Sequence, residues 1–337
     1  MIIKAAITLG VLFTLLSPDQ ARLGALPARA PANNSPLSVD AMLVIPRAVG
    51  YFDYMVIDQK LRRLIVAHTE SQAVAFVDVD RKVLQREVYI GAAPHGISID
   101  ERAGVYFVGT SGAQHAVVMI DRSTLKVTGS IPLPGPVDAL ALDTVRHTLY
   151  ADADDGDSIW VIDVVTKHIL ATIHTPRDSD KVEYDRQTDR IYQNFTTTNS
   201  LLVIDPQTQA ILASWSTLPA TRPHGLAIDD EHHRLFTAGV NGKLAVIDMV
   251  SGRVISTVDV ARRVDQIAFD AKRGRLYCAS GEGMLSVVAV TSTRVRLLAN
   301  VGVPRGAHTV AVDSSSGAVW LSYGTQRDDY VLRLSPR

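Results

Sequence analysis

The sequence predicts an all-β chain, a seven-bladed β-propeller, and three observations carry that prediction. A short apolar strand ending in Asp recurs at Asp58, Asp100, Asp143, Asp185, Asp229, Asp270 and Asp313, at intervals of 42, 43, 42, 44, 41 and 43 residues, the length of one four-stranded blade. A second column closes the third strand of the repeat at Asp78, Asp121, Asp163, Asp205 and Asp248, spaced by 43, 42, 42 and 43. The apolar runs themselves are brief, rich in β-branched and aromatic residues, and cut by turn residues about every ten positions. No window has apolar residues at helical spacing, which excludes a helical solenoid of similar period.

Taken in order, residues 1–30 begin with Lys4 and a short apolar run, Ala5 to Leu16, and read as a secretory leader. The cleavage site is not fixed, because Ala28-Arg29-Ala30 is followed by Pro31. Residues 31–38 are a polar linker and residues 39–337 the propeller. The chain is therefore expected in the periplasm or secreted, as a monomer with no membrane span once the leader is removed. Asp40 to Pro46 is an extended apolar strand ahead of the first repeat, whereas the seventh repeat stops at Val331 to Leu334. The first strand should complete the last blade, which leaves no open sheet edge at the seam. The fourth strands of the other blades are Val83 to Val88, Lys126 to Ile131, His168 to Ile173, Ile211 to Trp215, Val254 to Val258 and Val295 to Ala299.

Charge narrows the function classes. Lys and Arg number 34 against 35 Asp and Glu, so no electrostatic argument favours nucleic acid or a membrane surface. The lone Cys278 has no disulfide partner and falls inside a strand, where it reads as packing.

Segments such as Leu202-Val203-Ile204-Asp205-Pro206-Gln207-Thr208 and Trp160-Val161-Ile162-Asp163-Val164-Val165-Thr166 carry a resemblance to the YVTN-type seven-bladed propeller repeats of exported, YncE-like proteins, over about residues 40–334. No repeat spells Tyr-Val-Thr-Asn; Leu149-Tyr150-Ala151-Asp152 and Leu276-Tyr277-Cys278-Ala279 come nearest. The resemblance implies an exported propeller and no single activity.

Chemistry concentrates in one column. Five residues before each marking Asp stand Asp53, His95, Asp138, Asp180, His224, Asp265 and His308. Asp and His make up roughly one residue in nine, so their occupying all seven positions by chance is on the order of one in several million. In a propeller these positions ring one end of the central channel. Four carboxylates converging there must be relieved by protonation, imidazolium or a bound cation. Mixed Asp and His suits Zn, Mn or Fe, with Ca less suited. Hydrogen bonding of the ring to the next blade's backbone is the structural alternative. If the ring holds a cation, retention should fall as pH drops through the imidazole range near 6.5.

Two departures from the repeat stand out. Blade four carries Lys181 and Glu183 where the others have small or neutral residues; the spacing puts both on one strand face, as an ion pair between blades or an acid/base pair for catalysis. Arg177, Arg222, Arg262, Arg263 and Arg305 lie seven or eight residues before the marks of blades four to seven, where they could draw a small anionic ligand to the channel or simply be solvated. His68, His115, His147, His168, His174, His232 and His233 read as surface or packing residues, and no Ser–His–Asp set is brought together by repeat position. The chain reads as a binding protein for a ligand, metal or partner protein at the channel mouth. The alternatives are a metal-assisted, lactonase-like hydrolase or lyase using the same ring, and a scaffold for a haem or quinone.

Overall fold

Hairpin turns every few residues leave each repeat no choice but an antiparallel meander, and seven such meanders form the molecule. The computed structural model describes residues 35–46 and 50–337, so the leader and residues 31–34 of the linker lie outside the described residues. There are seven four-stranded antiparallel sheets. Each inner strand packs on the inner strand of the next blade, and that of blade one on that of blade seven, which closes the ring. Two short 3-10 turns, Asp230–His232 and Ala271–Arg273, are the helical segments among the described residues.

The period is written in turn chemistry. All seven marking Asp residues are buried, and six of them accept hydrogen bonds from the backbone of the turn that follows, as in Leu61 N–H to Asp58 at 2.9 Å, Ala103 N–H to Asp100 at 2.8 Å and Arg273 N–H to Asp270 at 3.2 Å; Asp229 instead takes the His232 and Arg234 side chains. The second column does the same one hairpin later, where Asp163 takes the N–H groups of Val165 and Thr166, each at 2.8 Å. Asp is selected because its short side chain reaches its own backbone two or three residues on. Arginines then lock several marks between blades; Arg122 reaches Asp58 at 2.7 Å, and Arg62 of blade one reaches Asp313 of blade seven at 2.7 Å.

The core lies between blades. Phe107 and Met119 of blade two pack with Leu140 and Trp160 of blade three, for example. A side chain buried to this degree contributes about 1.5–3 kcal/mol relative to exposure, so stability is spread around the whole ring. The fourth strands run one to three residues beyond the apolar pattern, ending at Tyr89, Pro132, His174, Ser216, Asp259 and Gly302.

At the seam, Leu37–Ile45 pairs antiparallel with Asp329–Pro336, from Leu37 opposite Pro336 to Ile45 opposite Asp329, with a bulge between Val39 and Ala41. The N-terminal strand thus completes blade seven, starting two residues before the propeller boundary expected from sequence. The same seam corrects the reading of His68. It is wholly buried and lies between Glu87 of its own blade and Asp329 of blade seven, each 2.7 Å from a ring nitrogen. Cys278 is buried, as expected, and burial pushes its thiol up to about 12, which leaves it inert.

Candidate functional site

The Asp/His column is placed by a backbone irregularity that repeats with it. In blades two to six the ladder between the inner and second strands breaks where the ring residue stands: between Pro94 and Ile97, Val137 and Leu140, Ser179 and Val182, Pro223 and Gly225, and Val264 and Ile267. A bulge of this kind re-aims a side chain out of the pleat. Asp53 and His308 stand just ahead of their inner strands, Met55–Asp58 and Thr309–Val312. Neighbouring inner strands approach so closely that a Cβ on Gly96 would meet the Asp138 carbonyl at 2.6 Å, and one on Gly225 the Asp265 carbonyl at 2.9 Å. Gly after His in blades two and five is therefore what lets the next blade's Asp come alongside.

The ring does not act as seven equal members. It resolves into two Asp–His–Asp trios, Asp53–His95–Asp138 and Asp180–His224–Asp265, each with one ligating atom per residue within 4.8 Å of the others. His95 Nδ1 is 2.8 Å from Asp53 and 3.9 Å from Asp138; His224 Nδ1 contacts Asp180 and lies 3.6 Å from Asp265. Burial disfavours the His224 imidazolium, but the Asp180 carboxylate outweighs it and, with Asp265, lifts the pKa to about 9. His95 is raised for the same reasons, burial opposing and Asp53 prevailing. Burial and then the neighbouring Asp53 charge push Asp138 well above the carboxylate range, and burial raises Asp265. Excess negative charge at the ring is thus met by protons, as crowded carboxylates require.

The two halves differ in their remaining nitrogens. His95 Nε2 is taken by Ser111 Oγ at 2.6 Å. Ser111 ends the second strand of the same blade and pairs with Ala93, so antiparallel register sets it beside the ring although it belongs to another repeat column. A Ser–His–Asp chain therefore exists, contrary to the sequence expectation, and its two hydrogen bonds hold the His95 ring in place. On the other side, His308 Nδ1 donates to the Gly306 carbonyl at 2.7 Å, a tautomer-setting bond that makes Nε2 the nitrogen available to a ligand. That Nε2 is buried with no hydrogen-bond partner and lies 3.7 Å from Asp265.

Above the ring opens a cavity of about 1270 Å³ whose wall includes all seven ring residues. Its floor is a strut across the channel: Lys181 Nζ contacts the Tyr54 hydroxyl, stands 4.3 Å from the Tyr54 ring centroid, and pairs with Glu183 at 3.0 Å. The Lys181–Glu183 pair is thus formed within one strand, and the partner from another blade is Tyr54, which the sequence reading missed. Burial opposes the ammonium, but Glu183 and then Tyr54 prevail and hold Lys181 above its ordinary range, so it acts as a fixed charge and not as a base.

Of the arginines, Arg222, Arg262 and Arg263 line the cavity. Arg177 donates to the Asp155 carbonyl at 2.8 Å and Arg305 packs its stem beside Gly283, neither forming the wall. Asp154 and Asp155 also line it; the acidic run Asp152 to Asp157 was the signal for them.

The strut gives a test. Lys181→Ala is expected to cost more than Lys181→Ala with Glu183→Ala, because the single change strands Glu183 beside the channel; coupling of about 1–3 kcal/mol is expected in a double-mutant cycle by denaturant unfolding. Additive losses would remove the pair as a unit.

No family model matches the chain, and no curated protein matches it. Among solved structures, 1784 chains match, so the fold by itself selects no activity. One is a chain from the crystal structure of the mitotic checkpoint complex, with TM-score 0.75, 13% identity, and coverage of 97% of this chain and 98% of that one. The likeness is one of fold.

Proposed function

We propose that the chain is an exported propeller of the YVTN-type repeat grammar that binds a divalent transition-metal ion at the channel mouth. The cation is held by Asp180, His224 and Asp265 with His308 Nε2 as the fourth donor. The observation that carries this reading is the orphaned, buried His308 nitrogen beside a ready Asp–His–Asp trio. Its Nδ1–H donates to a carbonyl, the outer-shell arrangement that orients ligating imidazoles. Two imidazoles with two carboxylates suit Zn, Mn or Fe better than Ca. The opposite trio is assigned a structural role, since both nitrogens of His95 are already satisfied by Asp53 and Ser111. Binding is preferred to hydrolase or lyase chemistry because Lys181, the candidate base, is locked as an ammonium.

Added Zn or Mn is expected to raise the melting temperature, by mass action about 2.7 kcal/mol of stability at a hundredfold excess over Kd. His224→Ala with His308→Ala should lose the metal-induced rise; His95→Ala should keep it. A wild type indifferent to Zn and Mn, or a double variant that still responds, would overturn the reading.

The pH dependence follows from the raised His224 pKa, set by facing Asp180 and Asp265 against Arg222. Its stabilisation of the metal-free protein is full below about 6.5, the unfolded value, and is lost as pH climbs through about 9. Cation affinity should strengthen over the same window, since the metal displaces that proton. The transition expected near 6.5 from sequence therefore moves upward. Equilibrium dialysis with Mn from pH 6 to 9 checks it, and a flat profile contradicts it.

A further inference from the structure

Cation binding alone leaves the three arginines of the wall unexplained. Arg62, Arg122, Arg146 and Arg234 are each engaged in ion pairs. At the mouth, Arg222 and Arg263 are engaged through their backbones alone, their N–H groups donating to Asn199 Oδ1 at 2.7 Å and the Val240 carbonyl at 2.8 Å and their carbonyls accepting from Val240 and Gly281, and Arg262 only through its carbonyl, which accepts from Ser280. Among the described residues none of these three guanidiniums has a hydrogen-bonded or ionic partner. Arg222 and Arg263 are moreover held in left-handed backbone, φ 48° and 53°, at a position where blade seven has Gly306, φ 86°. An arginine is a costly choice there compared with glycine, which points to a use for the side chain.

These arginines belong to blades five and six, the blades that supply His224 and Asp265. With Lys181 cancelled by Glu183, that half of the wall holds the carboxylates of Asp178, Asp180, Asp265 and Glu282 against three guanidiniums. With His224 protonated it is formally neutral, and a divalent cation that displaces that proton makes it net positive by one.

We propose that the loaded mouth binds a small dianionic oxyanion, bridged between the cation and the guanidiniums of Arg222, Arg262 and Arg263. This rests on the cation reading and adds an order to it: metal first, anion second. Four protein donors leave a six-coordinate cation two positions open, and guanidiniums are the side chains whose fork matches a carboxylate or phosphoryl group. The cavity, at about 1270 Å³, has room for a small ligand above the ring.

Isothermal titration with inorganic phosphate and, separately, with malonate, with and without saturating Mn, tests the proposal; the two probes distinguish a phosphoryl from a dicarboxylate ligand. At least one should bind at least about tenfold more tightly in the presence of Mn, the signature of positive coupling. Arg222→Gly with Arg263→Gly should keep or tighten Mn binding, leave the melting temperature unchanged or higher because the left-handed backbone is relieved, and lose that enhancement. Mn binding with no effect on either anion overturns this proposal alone, as does an enhancement that survives in the double variant. Absence of Mn binding overturns the cation reading and this one with it.

Discussion

A chain that starts after Ile45 is expected to lose its cooperative fold, with the effect spreading well beyond the blade it trims. The strand Leu37–Ile45 is the outermost strand of blade seven, hydrogen-bonded along its length to Asp329–Pro336. It buries Leu37, Leu43 and Ile45, together about 5–8 kcal/mol of apolar burial, comparable with the 5–15 kcal/mol that typically holds a whole domain together. Its loss also uncovers the backbone edge of the Asp329–Pro336 strand. Since Leu43 and Ile45 pack into the same core as Met55 and Leu64 of blade one, and Leu37 into that of Leu285 of blade six, the damage crosses two blade interfaces. Circular dichroism melting of the truncated chain is the measurement; an unchanged melting temperature would remove the closure argument.

His68→Ala is expected to be the most damaging single substitution at the seam. The imidazole is wholly buried, stacked on Phe52 at 4.5 Å, and joined to Asp329, itself wholly buried. Asp329 also accepts the Gly50 N–H at 3.2 Å, so one carboxylate gathers blade one's leading segment, its second strand and the last strand of blade seven. Removing His68 strands that carboxylate where water cannot reach it, at a cost of about 3–5 kcal/mol. Pairing His68→Ala with Asp329→Ala should recover part of the loss. Urea unfolding of the two single variants and the double settles the matter, and strictly additive losses would mean that the contact is incidental.

His68 also marks where reading the chain residue by residue stops. It ends the second strand of its repeat like many neutral residues, and nothing local distinguishes it from His168, which is exposed. Its partner Asp329 is 261 residues away, brought near only by closure of the ring. Ser111 and Tyr54 escaped notice for the same reason: antiparallel register sets Ser111 beside His95, and the width of the channel lets Tyr54 meet Lys181 of the opposite side.

The sequence by itself determined the architecture, the seam strand and the Asp/His ring, because each follows from a short-range rule repeated seven times: turn-capping Asp residues, period-two strands and one column facing the axis. Repetition multiplies a weak local signal until it is unmistakable. What only the tertiary structure decided is how that ring divides. Bulge geometry, the free nitrogen of His308, the serine behind His95 and, among the described residues, the unpaired arginines on one wall break its sevenfold sameness into two unlike halves. Those distinctions are made by side chains from different blades meeting across the channel, and contacts of that kind leave no trace in the spacing of residues along the chain.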